Sequence, residues 1–196
     1  MEKINFIKTF IPQGDFREKY EHGGMMVRHL AAVLDEKMGA YECYECTVPI
    51  GEYDEGEIQK AFAEFSVKMD ALKLKQAKVD KIAEIASYDT SSSVNGFVLN
   101  GLLVWLDKAT RVGLMNSTTI AKASGQETTT LWLGGLKLVV DCDKAIQLLS
   151  ALEMYALECF NVTASHKQAV SELTTIEEVE AYDYKADYPK MLEMSV

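Results

Sequence analysis

Hydrophobic and polar positions follow three different rhythms along the chain. Up to about residue 54 there is no helical period. The run Ile4-Asn5-Phe6-Ile7-Lys8-Thr9-Phe10 is aromatic and β-branched, as strands prefer, and Pro12-Gln13-Gly14 ends it. Gly23-Gly24 opens a second run over 25–34, and a turn over 36–39 leads to a third over 41–50. The last two read as a long hairpin, with a short helix over 25–34 as the alternative because Ala31 and Ala32 weaken the strand pattern. From 55 to about 87 the rhythm changes: Ile58, Ala61, Phe62, Phe65, Val67, Met69, Leu72, Leu74 and Ile82 recur at near-helical spacing. The Lys-rich part over 73–81 is polar enough to be solvated on most sides. So long a helix with so thin an apolar stripe reads as an arm or linker, or else as an amphipathic helix packed on its own domain. Asp89-Thr90-Ser91-Ser92-Ser93 reads as a linker. The expected organisation is a β-rich region over 1–54, a helical arm over 55–88 and an α+β domain over 89–196.

The third stretch repeats one unit twice. Strands over 97–99 and 102–105 flank Asn100-Gly101, whose residues tolerate the positive φ angles of a type I′ hairpin turn. Asp107 then suits the N-cap of a helix to about Ala123, ended by Ser124-Gly125. Strands over 128–133 and 136–140 flank Gly134-Gly135, and a second helix opens at Asp141 or Asp143. Its residues Ile146, Leu149, Leu152, Met154, Ala156, Cys159, Phe160 and Val162 give it a broad face expected to be buried, which continues toward Leu173. Thr174-Thr175-Ile176-Glu177-Glu178 has the form of a cap with an acidic first turn. The fold class expected is therefore α+β.

Composition narrows the functions more than it names one. The chain has 196 residues, 48% of them hydrophobic, enough for one large domain or two small ones with a real core. A net charge of −10 disfavours nucleic acid, whose phosphates call for clustered Lys and Arg, and equally disfavours an anionic membrane surface. No apolar run approaches a bilayer span, and the start Met1-Glu2-Lys3-Ile4-Asn5 lacks a signal-peptide layout, so a soluble chain made in the cytosol is expected.

Candidate chemistry is sparse. Cys43 and Cys46 form C-x-x-C, but zinc needs about four ligands and no second pair follows. On a strand the two thiols point to opposite faces, so neither metal nor disulfide is expected. Cys142 and Cys159 read as helix-core residues. Of the histidines His22, His29 and His166, none has a nucleophile at a telling spacing, and His166 reads as a solvated or packing side chain. The Gly-Gly pairs match no phosphate loop, and the acidic tail from Glu177 to Asp187 lacks calcium-loop spacing. No catalytic, cofactor or metal residue is therefore expected. Asp107 and Arg111, one turn apart, read as an N-cap plus local ion pair. Trp105 and Trp132 end similar strands and read as core, with a ligand platform shared with Tyr155 as the sharper alternative. Phe62, Phe65, Met69 and Leu72 line one stripe of the arm and are expected to carry contacts between subunits or domains.

Several spaced motifs carry a resemblance: W-L-D-K-A-T-R from Trp105, T-T-L-W from Thr129, A-L-E-M-Y-A from Ala151, L-T-T-I-E-E-V-E-A-Y-D-Y from Leu173, and Tyr188-Pro189. Over roughly 84–192 the chain resembles an uncharacterised domain family of tailed-phage and prophage proteins, encoded among tail, baseplate or fibre genes. G-D-F-R-E-K-Y and C-T-V-P-I-G-E-Y resemble the region that precedes this domain in some members. The resemblance implies a phage structural or assembly protein, acting by contact with other phage structural proteins, as a homo-oligomer, without cofactor, nucleic acid or membrane. It would sit in the virion, or in the host cytoplasm during assembly. The alternative is a small-ligand-binding or enzymatic accessory protein such as a host-defence inhibitor, with Trp105, Trp132 and Tyr155 as its pocket.

Overall fold

The computed structural model describes residues 4, 6–11, 16–19, 24–35 and 40–196. The turns expected at Pro12-Gln13-Gly14 and over 36–39, and His22, lie outside the described residues. The chain is α+β and forms two compact units, Met1–Leu74 and Lys75–Val196, so the division falls inside a helix.

The first unit is an antiparallel sheet with one helix. Its strands are β1 (Ile7–Ile11), β2 (Phe16–Lys19), β3 (Gly24–Asp35) and β4 (Ala40–Pro49), in the order β1-β4-β3-β2. The strand reading of 25–34 holds: β3 pairs with β4 through Met26↔Thr47 and Leu30↔Cys43, and Ala32 is accommodated beside a register shift. Helix α1 (Glu55–Asp89) starts at a reciprocal cap, in which Glu57 N donates to Asp54 Oδ1 and Asp54 N donates to Glu57 Oε2. Tyr44, Cys46 and Val48 alternate along β4 and share one face, which they bury against Phe6, Val27 and Ile58. Phe62, Phe65 and Met69 pack on the same cluster, with Tyr44 and Phe65 edge to face at 5.0 Å. One helical turn beyond Met69, Lys73 reaches Glu42, the next residue on that face of β4. Glu42 is buried between Lys8 and Lys73, at 2.8 and 3.0 Å. Burial pushes the Glu42 carboxyl up, but the two lysines outweigh it and hold it below its ordinary value.

The second unit begins within α1 and carries the repeated plan. α2 (Ser92–Asn95) leads into β5 (Gly96–Leu99), the Asn100-Gly101 turn, β6 (Leu102–Trp105) and α3 (Lys108–Ala123). β7 (Thr128–Leu133), the Gly134-Gly135 turn, β8 (Leu136–Asp141) and α4 (Cys142–Glu172) repeat it. All four turn residues have positive φ, as a type I′ hairpin requires. Asp107 Oδ1 accepts from Thr110 N at 2.8 Å, and Asp141 Oδ1 from Asp143 N at 2.8 Å, so both expected N-caps form. α5 (Ile176–Ala181) opens on a full capping box between Thr175 and Glu178. β9 (Leu192–Met194) adds to β5 in parallel, and the Asn100 side chain accepts from Val196 N. The core joins Phe97, Leu99 and Val104 to Leu131, Leu133 and Val140 beneath Leu149, Leu152 and Tyr155 of α4. The segment read as a linker is the end of α1 and the cap of α2, where Ser91 Oγ accepts from Ser93 N. Among the described residues no helix is long and apolar enough to cross a membrane.

Candidate functional site

The seven interaction candidates fall in different places. Phe62, Phe65 and Met69 are partly buried in the core of the first unit, so its own sheet covers them, whereas Leu72 is 48% exposed. Tyr155 is buried and its hydroxyl donates to Val94 O at 2.8 Å, which makes it a core residue and removes it from any surface platform. Trp105 and Trp132 are exposed, 39% and 60%, against the core reading. Strand alternation is the reason. Leu131 and Leu133 point inward, so Trp132 between them must point out; Val104 points inward, leaving Leu103 and Trp105 outward. The signal was present in the Leu-Trp-Leu triplet itself.

Around Trp105 the second unit forms a half-open cleft of about 400 Å³. Its walls include Trp105, Leu157 and Phe160, and its polar groups include Asp89, Asn95, Asp107, Lys108, Arg111 and Glu153. Leu157 and Phe160 lie three apart on α4, both at least half exposed, and continue an apolar stripe from Met154. Arg111 does not pair with Asp107, as one-turn spacing had suggested. Its Nε lies 2.9 Å from Glu153 Oε1, which ties α3 to α4, and from the same buried position its Nη1 donates to Leu106 O at 2.8 Å, at the junction of β6 and α3. Asp107 is instead spent on its cap, where both carboxylate oxygens accept from Thr110. These bonds hold the Asp107 carboxyl below its ordinary range. Asp89, at the end of α1, accepts from the Thr163 hydroxyl, and its backbone carbonyl accepts from Asn95 Nδ2. Asn95 Oδ1 is buried with no hydrogen-bond partner.

The other reactive side chains serve packing. Cys43 and Cys46 are buried on β4, and Cys142 and Cys159 are buried thiols on α4. Burial pushes the Cys46 thiol up to about 11, and the Cys159 thiol up as well, so both stay protonated near neutral pH. His166 is buried rather than solvated: Nδ1 meets Tyr182 Oη at 2.9 Å and Nε2 meets Ala186 O at 3.0 Å, pinning the segment after α5. Among the described residues no three His, Cys, Asp or Glu side chains are grouped to hold a metal ion.

A family model described as a domain of unknown function (DUF4376) matches residues 76–186, more than half of the chain, and the chain belongs to that family. The matched span lies within the second unit, and the residues that carry the resemblance described above fall almost wholly inside it. No curated protein and no solved structure matches the chain.

Proposed function

We propose that this DUF4376 member is a non-catalytic docking protein whose second unit binds a protein partner. One observation carries the reading: the unit holds its large apolar side chains outward in groups. Leu103 and Trp105 share the outer face of β6, and Trp132 lies diagonally from Val139 on the outer face of the β7–β8 hairpin. Met154, Leu157 and Phe160 follow one another along α4. Grouped exposed apolar side chains mark contact surfaces, and tryptophan is enriched where such contacts carry binding energy. The acidic balance of the chain supports a protein partner over nucleic acid.

The finer reading is a structural or assembly protein of a tailed phage, present as a homo-oligomer; its support is the resemblance of the spaced motifs. Purified particles from a lysate of the phage or prophage that encodes the chain are expected to contain it by mass spectrometry. Particles that lack it, with tails intact after its deletion, would contradict this reading. A second reading, a small-ligand-binding accessory protein, is favoured by the cleft beside Trp105, whose volume is in the range of small-molecule sites. A nucleotide-like ligand carried through purification in that cleft would support it.

A further inference from the structure

Resting on the docking reading, we infer that the cleft beside Trp105 takes a large apolar side chain of the partner together with an adjacent lysine or arginine. Trp105, Leu157 and Phe160 supply walls that lose water when such an anchor enters. The polar groups select the sign of its neighbour. Three carboxylates, Asp89, Asp107 and Glu153, face two cations, Lys108 and Arg111.

Arg111 is already committed to Glu153 and to the Leu106 carbonyl, so an incoming anion must compete with a carboxylate in place at 2.9 Å. Asp89 has no cation beside it among the described residues; its one side-chain partner is the Thr163 hydroxyl. It also ends α1, whose last turn holds no basic residue, so its charge adds to the negative end of the helix dipole. The open acceptors at the cleft are therefore the second oxygens of Asp89 and Glu153 and the Oδ1 of Asn95, against one cation, Lys108, that has no ion pair among the described residues. They suit an ammonium or guanidinium held over an aromatic wall, the arrangement of a cation–π contact.

Three probes with one indole ring and different charge test this: tryptamine (cationic), N-acetyl-tryptophanamide (neutral) and indole-3-acetate (anionic). Each is titrated into the full-length chain while the indole N–H signal of Trp105 and the side-chain amide of Asn95 are followed by NMR. Tryptamine is expected to bind about two- to fivefold more tightly than the neutral probe, the size of an exposed ion pair, and indole-3-acetate more weakly than both. Asp89→Asn, which keeps an acceptor for Thr163, should remove the preference for tryptamine. Lys108→Glu, at an exposed position, should enlarge it. Leu157→Ser should weaken all three probes.

Equal or tighter binding of indole-3-acetate overturns the inference. So does the absence of shifts at Trp105 and Asn95 with every probe. If the probes fail while purified particles still contain the chain, the cleft assignment alone falls and the docking reading stands.

Discussion

Replacing Arg111 with methionine removes two contacts, the Glu153 pair that ties α3 to α4 and the bond to the Leu106 carbonyl at the β6–α3 junction, and leaves the helix propensity and most of the apolar stem in place. The Leu106 carbonyl loses its donor in a residue that is 6% exposed, which costs about 1–2 kcal/mol for an unsatisfied buried acceptor. The ion pair contributes less. Glu153 is 35% exposed at its side chain, so solvent screening leaves about 0.5 kcal/mol. The sum is about 2 kcal/mol, roughly a thirtyfold shift toward the unfolded state. Both tryptophans lie in the second unit, so tryptophan fluorescence during urea unfolding reports that unit alone. Glu153→Gln retains an acceptor for Nε and should cost no more than about 1 kcal/mol. Added to Arg111→Met it should cost almost nothing further, because the pair is already gone. A loss below about 0.5 kcal/mol for Arg111→Met, or full additivity of the two changes, would refute the reasoning that the pair joins α3 to α4 while the carbonyl contact anchors Arg111 to the β6–α3 junction.

Thr118 is fully buried on α3 and its hydroxyl has no partner, so Thr118→Val should raise the unfolding free energy in urea by about 1 kcal/mol; a destabilisation would show that the hydroxyl is satisfied. Tyr155→Phe removes the stronger of two donors to Val94 O, leaving the Cys159 thiol at 3.3 Å, and should cost about 1 kcal/mol by the same assay, with the fold retained; an unchanged midpoint would count against that bond. The first unit should weaken in acid. Glu42 has a folded pKa below its ordinary 4.5, so its stabilisation is present above that value and is lost as pH falls through the folded pKa. Thermal unfolding followed at amide signals of the first unit should show this loss, and Glu42→Gln should flatten it; identical profiles for the two proteins would exclude the carboxylate as its source.

Local chemistry was legible in the chain, and long-range pairing was not. Asn100-Gly101, Gly134-Gly135, Asp107, Asp141 and the Thr175–Glu178 box each act within four residues, and each forms as the residue types dictate. β9 pairs Leu192 with Phe97, far away in the chain, and a three-residue strand carries no periodicity of its own. Trp105 and Trp132 face outward because strand alternation, not the size of the side chain, sets which face a residue takes. Arg111 was assigned to Asp107 because only neighbours one turn away can be seen on a single helix. Its partner Glu153 becomes visible once α3 lies against α4. The cleft escaped for the same reason: its residues come from the end of α1, the strand–helix junction at Asp107 and the middle of α4. Asp89, central to it, lay in a stretch read as linker.

The central claim is that the second unit works by holding a partner on its outward apolar face. Its most direct test compares particles assembled with the wild-type chain and with a Leu103→Glu/Trp132→Glu variant, in the phage or prophage background where the chain is proposed to act. Both substituted positions are exposed, so the variant should fold, as circular dichroism of the purified chain can confirm. Quantitative mass spectrometry is expected to find the wild-type chain in purified particles and the folded variant depleted from them. Equal retention of the two chains, or absence of both, would contradict it.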